Sequence, residues 1–148
     1  MKKIIAFVLV AVMLALTFTA CGSAPTKVRI NCTVSVVVNG EKLLDTFHYT
    51  VTGTEEKMPT VLQTVVEAFT VADIPCEYND EEFLSVSFNG TKYARGMDEE
   101  NVYSWIYRVD GVEPTSGRMS NNTVAEGQNI ELELIAIPLE TNKTEAAE

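Results

Sequence analysis

From Val28 onward, apolar and polar positions alternate with period two. Val28, Ile30, Cys32, Val34, Val36 and Val38 fall on one face, and Arg29, Asn31, Thr33 and Ser35 on the other. Alternation rich in β-branched residues predicts a half-buried strand. Asn39-Gly40 supplies the positive φ angles of a two-residue hairpin turn. The return strand sets Phe47, Tyr49 and Val51 against Thr46, His48 and Thr50, and Gly53 is expected to end it. The period then changes. Between Pro59 and Pro75, Val61, Leu62, Val65, Val66, Ala68, Phe69 and Ala72 recur at helical spacing, and Thr60 with Gln63 has the form of a capping box. Leu84, Val86 and Phe88 mark a strand that runs to Asn89-Gly90. Tyr103, Trp105, Tyr107 and Val109 alternate in another, stopping at Asp110-Gly111. In the last strand Ile130, Leu132 and Leu134 alternate with Asn129, Glu131 and Glu133. One helix among several strands predicts an α+β fold, a β-grasp-like mixed sheet with the helix packed on it. It forms one domain over residues 28–138, without internal repeats.

The pattern preceding this domain is of another kind. Met1-Lys2-Lys3 is positively charged, Ile4 to Leu16 is apolar, Thr17-Phe18-Thr19-Ala20 follows, and then Cys21-Gly22. Charge, apolar run and small residues in this order predict an export signal over residues 1–20. A cysteine directly after the small residues resembles a lipoprotein signal, although Phe18 stands where Leu is usual. The resemblance implies that Cys21 is thioether-linked to diacylglycerol and becomes the first residue of the mature chain. Residues 21–27 would then form a lipidated cysteine and short linker, holding the domain at the extracytoplasmic face of a bacterial membrane. A plain secretory signal and an uncleaved single-span anchor are the competing readings. Residues 139–148 are read as a disordered polar tail.

Charge narrows the partners. The 148 residues carry 11 Lys and Arg against 21 Asp and Glu, a formal −10. Nucleic acid is excluded, because phosphate binding needs a basic excess. Hydrophobic residues at 46% are enough for a core. His48 is the only histidine, set among threonines, and no nucleophile motif, HExxH or phosphate-binding loop accompanies it. The expectation is therefore a protein that is not an enzyme and has no cofactor. Cys32 and Cys76 are either a disulfide between the first strand and the segment after the helix, or two buried thiols. Acidic clusters at Glu55-Glu56, Asp80-Glu81-Glu82 and Asp98-Glu99-Glu100 read as solvated loops, with cation binding as the alternative for the last two. Tyr93, Arg95, Tyr103 and Trp105 are the candidate ligand-binding residues, since aromatic rings with arginine grip flat ligands and partners. Trp105 is also in phase for core packing, whereas Tyr93, Arg95 and Tyr103 fall at loop or strand-end positions.

Four segments in order carry a family resemblance. They are Thr60-Val61-Leu62 opening the helix, Leu84 to Gly90, Tyr103-Ser104-Trp105-Ile106-Tyr107-Arg108-Val109-Asp110-Gly111, and Gly127-Gln128-Asn129-Ile130-Glu131-Leu132. Together they resemble the transcobalamin-like C-terminal domain family, found in bacterial surface lipoproteins and as the β-domain of animal cobalamin carriers. Asp110 and Gln128 depart from that pattern at turn positions. In the carriers the domain sandwiches a corrinoid against a separate helical barrel, which has no counterpart in these 148 residues. The resemblance therefore implies at most half of a corrinoid site, the other half coming from a partner. The expected function is a lipid-anchored, non-enzymatic extracytoplasmic domain binding a small molecule such as a corrinoid. The alternatives are an adhesion or assembly module binding an envelope protein, and a metal-binding domain using the acidic loops.

Overall fold

A computed structural model describes residues 25–115 and 117–139. The signal segment, Cys21 and residues 140–148 lie outside the described residues. Among the described residues eight strands and one helix follow one another as β1 (Lys27–Val38), β2 (Glu41–Thr54), α1 (Val61–Val71), β3 (Cys76–Tyr78), β4 (Phe83–Phe88), β5 (Thr91–Ala94), β6 (Gly96–Met97), β7 (Asn101–Val109) and β8 (Asn129–Pro138). The fold is α+β, but it has two sheets where the alternation pattern implied one. A five-stranded sheet runs β2-β1-β8-β7-β6, and a three-stranded sheet runs β3-β4-β5. The larger sheet is mixed, because β1 and β8 pair in parallel while its other pairs are antiparallel.

The β1–β2 hairpin closes where expected, with Asn39 and Gly40 at φ 49° and 84°. Both central residues thus adopt the left-handed geometry of a primed two-residue turn, whose twist suits the strands it joins. Asn89-Gly90 does the same between β4 and β5, at φ 49° and 80°. Strict alternation fails in the middle of β1. Phe47 faces Val34, Leu44 faces Val36 and Lys42 faces Val37, so β2 carries an extra residue at two places. Such bulges bend the strand and break the two-residue rhythm. Ser35 and Val37 of β1, an inner strand between β2 and β8, are also buried, although the pattern assigned Ser35 to the polar face. Gly53 does not end β2, which continues to Thr54. A Cβ on Gly53 would lie 2.5 Å from Cδ of Pro59, so glycine is needed there for close approach of the segment entering α1.

That segment caps the helix in a way only partly visible in sequence. The Thr60 hydroxyl accepts from the Gln63 amide at 3.2 Å. The Gln63 side chain does not complete the box; it donates instead to Glu67, one turn on, at 2.9 Å. The remaining amides of the first turn are satisfied from afar, Val61 by the Asn122 carbonyl at 2.8 Å and Leu62 by that of Met119 at 3.2 Å. With the amides of Val61, Leu62 and Gln63 all occupied, the first turn of the helix offers none of them to an anion. At the other end Asp73 takes φ 55°, and Ile74 and Asp73 donate back to Phe69 and Thr70. This pair of bonds is a Schellman motif built without glycine.

Val61, Leu62, Thr64, Val65, Ala68 and Phe69 make the buried face of α1. All of these but Thr64 join Ile30, Val34, Val36, Ile130 and Leu132 in one hydrophobic core. Three rings link the layers edge to face: Phe69 of α1 meets Phe83 of β4 at 5.7 Å and 66°, and Phe83 meets Trp105 of β7 at 5.3 Å and 81°.

Candidate functional site

Period-two geometry places Tyr103, Trp105 and Tyr107 on one face of β7, where they pair across to Ala136, Leu134 and Leu132 of β8. Exposure falls along this row. Tyr107 is buried, while Tyr103 and Trp105 are only half-buried. At the half-buried end β5 passes directly into β6, with Arg95 the single residue between them. There the chain leaves the small sheet and joins the large one. The Leu84 carbonyl pins this junction, accepting both the Arg95 amide at 3.0 Å and the Trp105 indole N–H at 3.1 Å. The indole is thereby fixed in place with one edge satisfied.

A cleft of about 370 Å³ results, within the usual range of small-molecule sites. Phe83, Trp105, Tyr107 and Met119 give it an aromatic and apolar lining, and Glu82, Arg95 and Tyr103 also line it. Three of the four candidate binding residues, Arg95, Tyr103 and Trp105, thus meet in one place. Tyr93 is not among the lining residues. It faces Val86 across the β4–β5 hairpin and packs, half-buried, against the core. Arg108 lies on the opposite face of β7, paired with Glu131 at 3.2 Å and Glu133 at 2.6 Å.

The cleft is bordered by two tight turns, each held by its own side chain. Asn79 Oδ1 accepts the amides of Glu81 and Glu82 at 2.9 and 2.8 Å. This directs Glu81 to Arg118, at 2.5 Å, and Glu82 to Arg95. Asp98 accepts the amides of Glu100 and Asn101 at 2.8 and 2.7 Å and the Tyr103 hydroxyl at 2.8 Å. These donors, the two amides first, hold its carboxyl below the usual carboxylate range. The same contact with Asp98 pushes the Tyr103 hydroxyl up. Burial raises Tyr107, whose hydroxyl donates to the Arg118 carbonyl and accepts from Asn122 at 2.6 Å.

Glu82, Phe83 and Met119 also line the cleft, and none of them stands out in the sequence as a binding residue. Glu82 was visible only as part of an acidic loop, and Met119 sits in a segment without periodicity, so neither carried a signal of position. In the two acidic loops Glu81 and Glu82 direct their carboxylates to arginines, and Asp98 directs its own to its turn. Among the described residues no group of three or more His, Cys, Asp or Glu gathers around one point. Cys32 and Cys76 are free thiols in this structure. Burial raises both, and Glu126 raises Cys32 further. Cys32 Sγ lies 3.5 Å from the Tyr49 carbonyl. It lines a second cleft with exposed His48, but a thiol raised in this way is a poor nucleophile. Among the described residues no helix is long and apolar enough to cross a membrane.

Comparison with known proteins finds no matching family model. No curated protein matches either. Among solved structures the chain is similar to haptocorrin in complex with Cbi, at 19% identity and a TM-score of 0.49. The match covers 79% of this chain and 27% of that one, so the chain corresponds to about a quarter of haptocorrin's length.

Proposed function

We propose that this protein is a non-enzymatic binding domain, anchored by lipid at Cys21 on the extracytoplasmic face of a bacterial membrane, whose aromatic cleft receives a small molecule. The observation that carries this reading is the convergence of Arg95, Tyr103 and Trp105 on one cleft. A corrinoid, shared with a partner that supplies the other half of the site, is the ligand implied by the resemblance of the four sequence segments. An open cleft of about 370 Å³ suits a ligand gripped from one side. The parallel β1–β8 pair flanked by antiparallel neighbours, with one helix against it, supports the β-grasp-like assignment.

Trp105 is the only tryptophan, so the protein has a single indole N–H resonance with which to follow the cleft. Titration with cobinamide and with cobalamin is expected to shift it saturably. An unmoved resonance with both, at millimolar ligand, would remove corrinoid binding by the isolated chain. The anchor is tested separately: labelled palmitate fed to the parent cells should enter the wild-type protein and not Cys21→Ala. A second reading, an assembly module, is favoured by β2, a 14-residue strand at the sheet edge where another strand could add. A stoichiometric envelope protein held by the wild type and lost when proline is placed in β2 would support it.

A further inference from the structure

The cleft already binds one carboxylate, its own. Glu82 and Arg95 both line it and form an ion pair there. We infer that this pair is an exchange site, and that the ligand has a flat apolar body bearing an anionic group, a carboxylate, sulfonate or phosphate, which replaces Glu82 on Arg95. The inference rests on the reading of the cleft as a ligand site.

Three observations support exchange. First, Glu82 is not needed to hold its own loop. The turn is fixed by Asn79, whose side chain takes the amides of Glu81 and Glu82 and whose amide donates to the Glu82 carbonyl at 3.0 Å. The Glu82 carboxylate can therefore swing away without unfolding the turn. Second, the pair is weak. The two side chains are 46% and 52% exposed, and an exposed pair of this kind contributes a factor of about five or less to an equilibrium. Third, Arg95 is held by its backbone rather than by Glu82. Its amide is bonded to Leu84, and only Nη1 of the guanidinium is engaged, by Glu82, among the described residues. The fork of donors matches an incoming carboxylate or phosphate in two-point geometry. Trp105, fixed through the same Leu84 carbonyl, is available for contact with the flat body of the ligand.

Selection by charge is therefore local. The chain as a whole is acidic and gives no long-range attraction to an anion. The second pair, Glu81 with Arg118, tethers the other side of the Asn79 turn, so that Glu82 can leave while the turn remains in place.

The test uses a matched pair of probes, 2-naphthoate and its neutral amide 2-naphthamide, titrated into the full chain while the Trp105 indole N–H is followed. Naphthoate is expected to bind about fivefold more tightly than naphthamide. Glu82→Gln removes the internal competitor and should increase the preference for naphthoate over naphthamide about threefold. Arg95→Gln should abolish the preference for the anion. Equal binding of the two probes, or a preference that survives Arg95→Gln, would overturn the exchange site and leave an apolar ligand cleft. If neither probe moves the indole resonance, the ligand-site reading of the cleft falls together with this inference. Both substitutions are at exposed side chains, and an unchanged melting temperature separates loss of binding from loss of fold.

Discussion

Along β1 and β8 the inward residues are Ile30, Val34, Val36, Ile130 and Leu132, all nearly without exposure. Along β7 the same face of the sheet carries Tyr103 and Trp105, which remain half-exposed. Both rows follow the same alternation, and both are apolar or aromatic. They differ in what covers them. The β1–β8 row shares the core with the buried face of α1, whose Val61, Val65, Ala68 and Phe69 have no exposure. The β7 row is met by β4 through Phe83, and the small sheet then hands the chain on through Arg95 to β6. A cleft forms where one layer stops before the face beneath it does. An aromatic stripe therefore marks a core or a site according to its cover, which the stripe itself does not encode.

Substitutions can break this comparison, beginning with the largest effect. Phe69→Ala removes a ring with no exposure and should cost about 3–5 kcal/mol in urea unfolding, through lost transfer energy and an unfilled cavity. Gly53→Ala acts on the same covered side. Its new Cβ meets buried Pro59, and the resulting overpacking should cost about 1–3 kcal/mol by the same measurement. On the cleft side, Trp105→Phe keeps an aromatic ring and loses the bond to Leu84, whose carbonyl retains the Arg95 amide. A cost of about 1 kcal/mol is expected. A loss as large as that of Phe69→Ala would mean that Trp105 is core and that the comparison fails.

The smallest effect is one of pH. Asp98 has its carboxyl lowered by two backbone amides and Tyr103. Its folded form thus favours the charged state more than the unfolded chain does. The stability it adds is present above the ordinary aspartate range, near pH 4, and is lost as pH falls through its depressed folded value. Asp98→Asn keeps an oxygen acceptor and removes the charge. The difference in stability between wild type and this variant should shrink as pH is lowered from 6 to 2. A difference independent of pH would show that the turn, not the charge, is what Asp98 supplies.

Features whose causes are local can be read directly from the residues. The Asn39-Gly40 and Asn89-Gly90 turns need residues that tolerate positive φ, and those residues were there to be read. The helix after Thr60 follows from its period and its cap, and the strands β1, β4, β7 and β8 from alternation. Arg95, Tyr103 and Trp105 were legible as chemistry, through residue type and nearness in sequence. Tertiary structure decided the rest. The short strands β3, β5 and β6 are too brief to show a period, and they exist because neighbouring strands offer them hydrogen-bond partners. The bulges in β2 answer to the pairing with β1, and the first turn of α1 takes two of its acceptors from Met119 and Asn122, more than 50 residues away. The division of one face into core and cleft, and the meeting of Glu82 with Arg95 inside it, depend on where the second sheet ends. Burial and long-range pairing are properties of the assembled layers, so no window of sequence contains them.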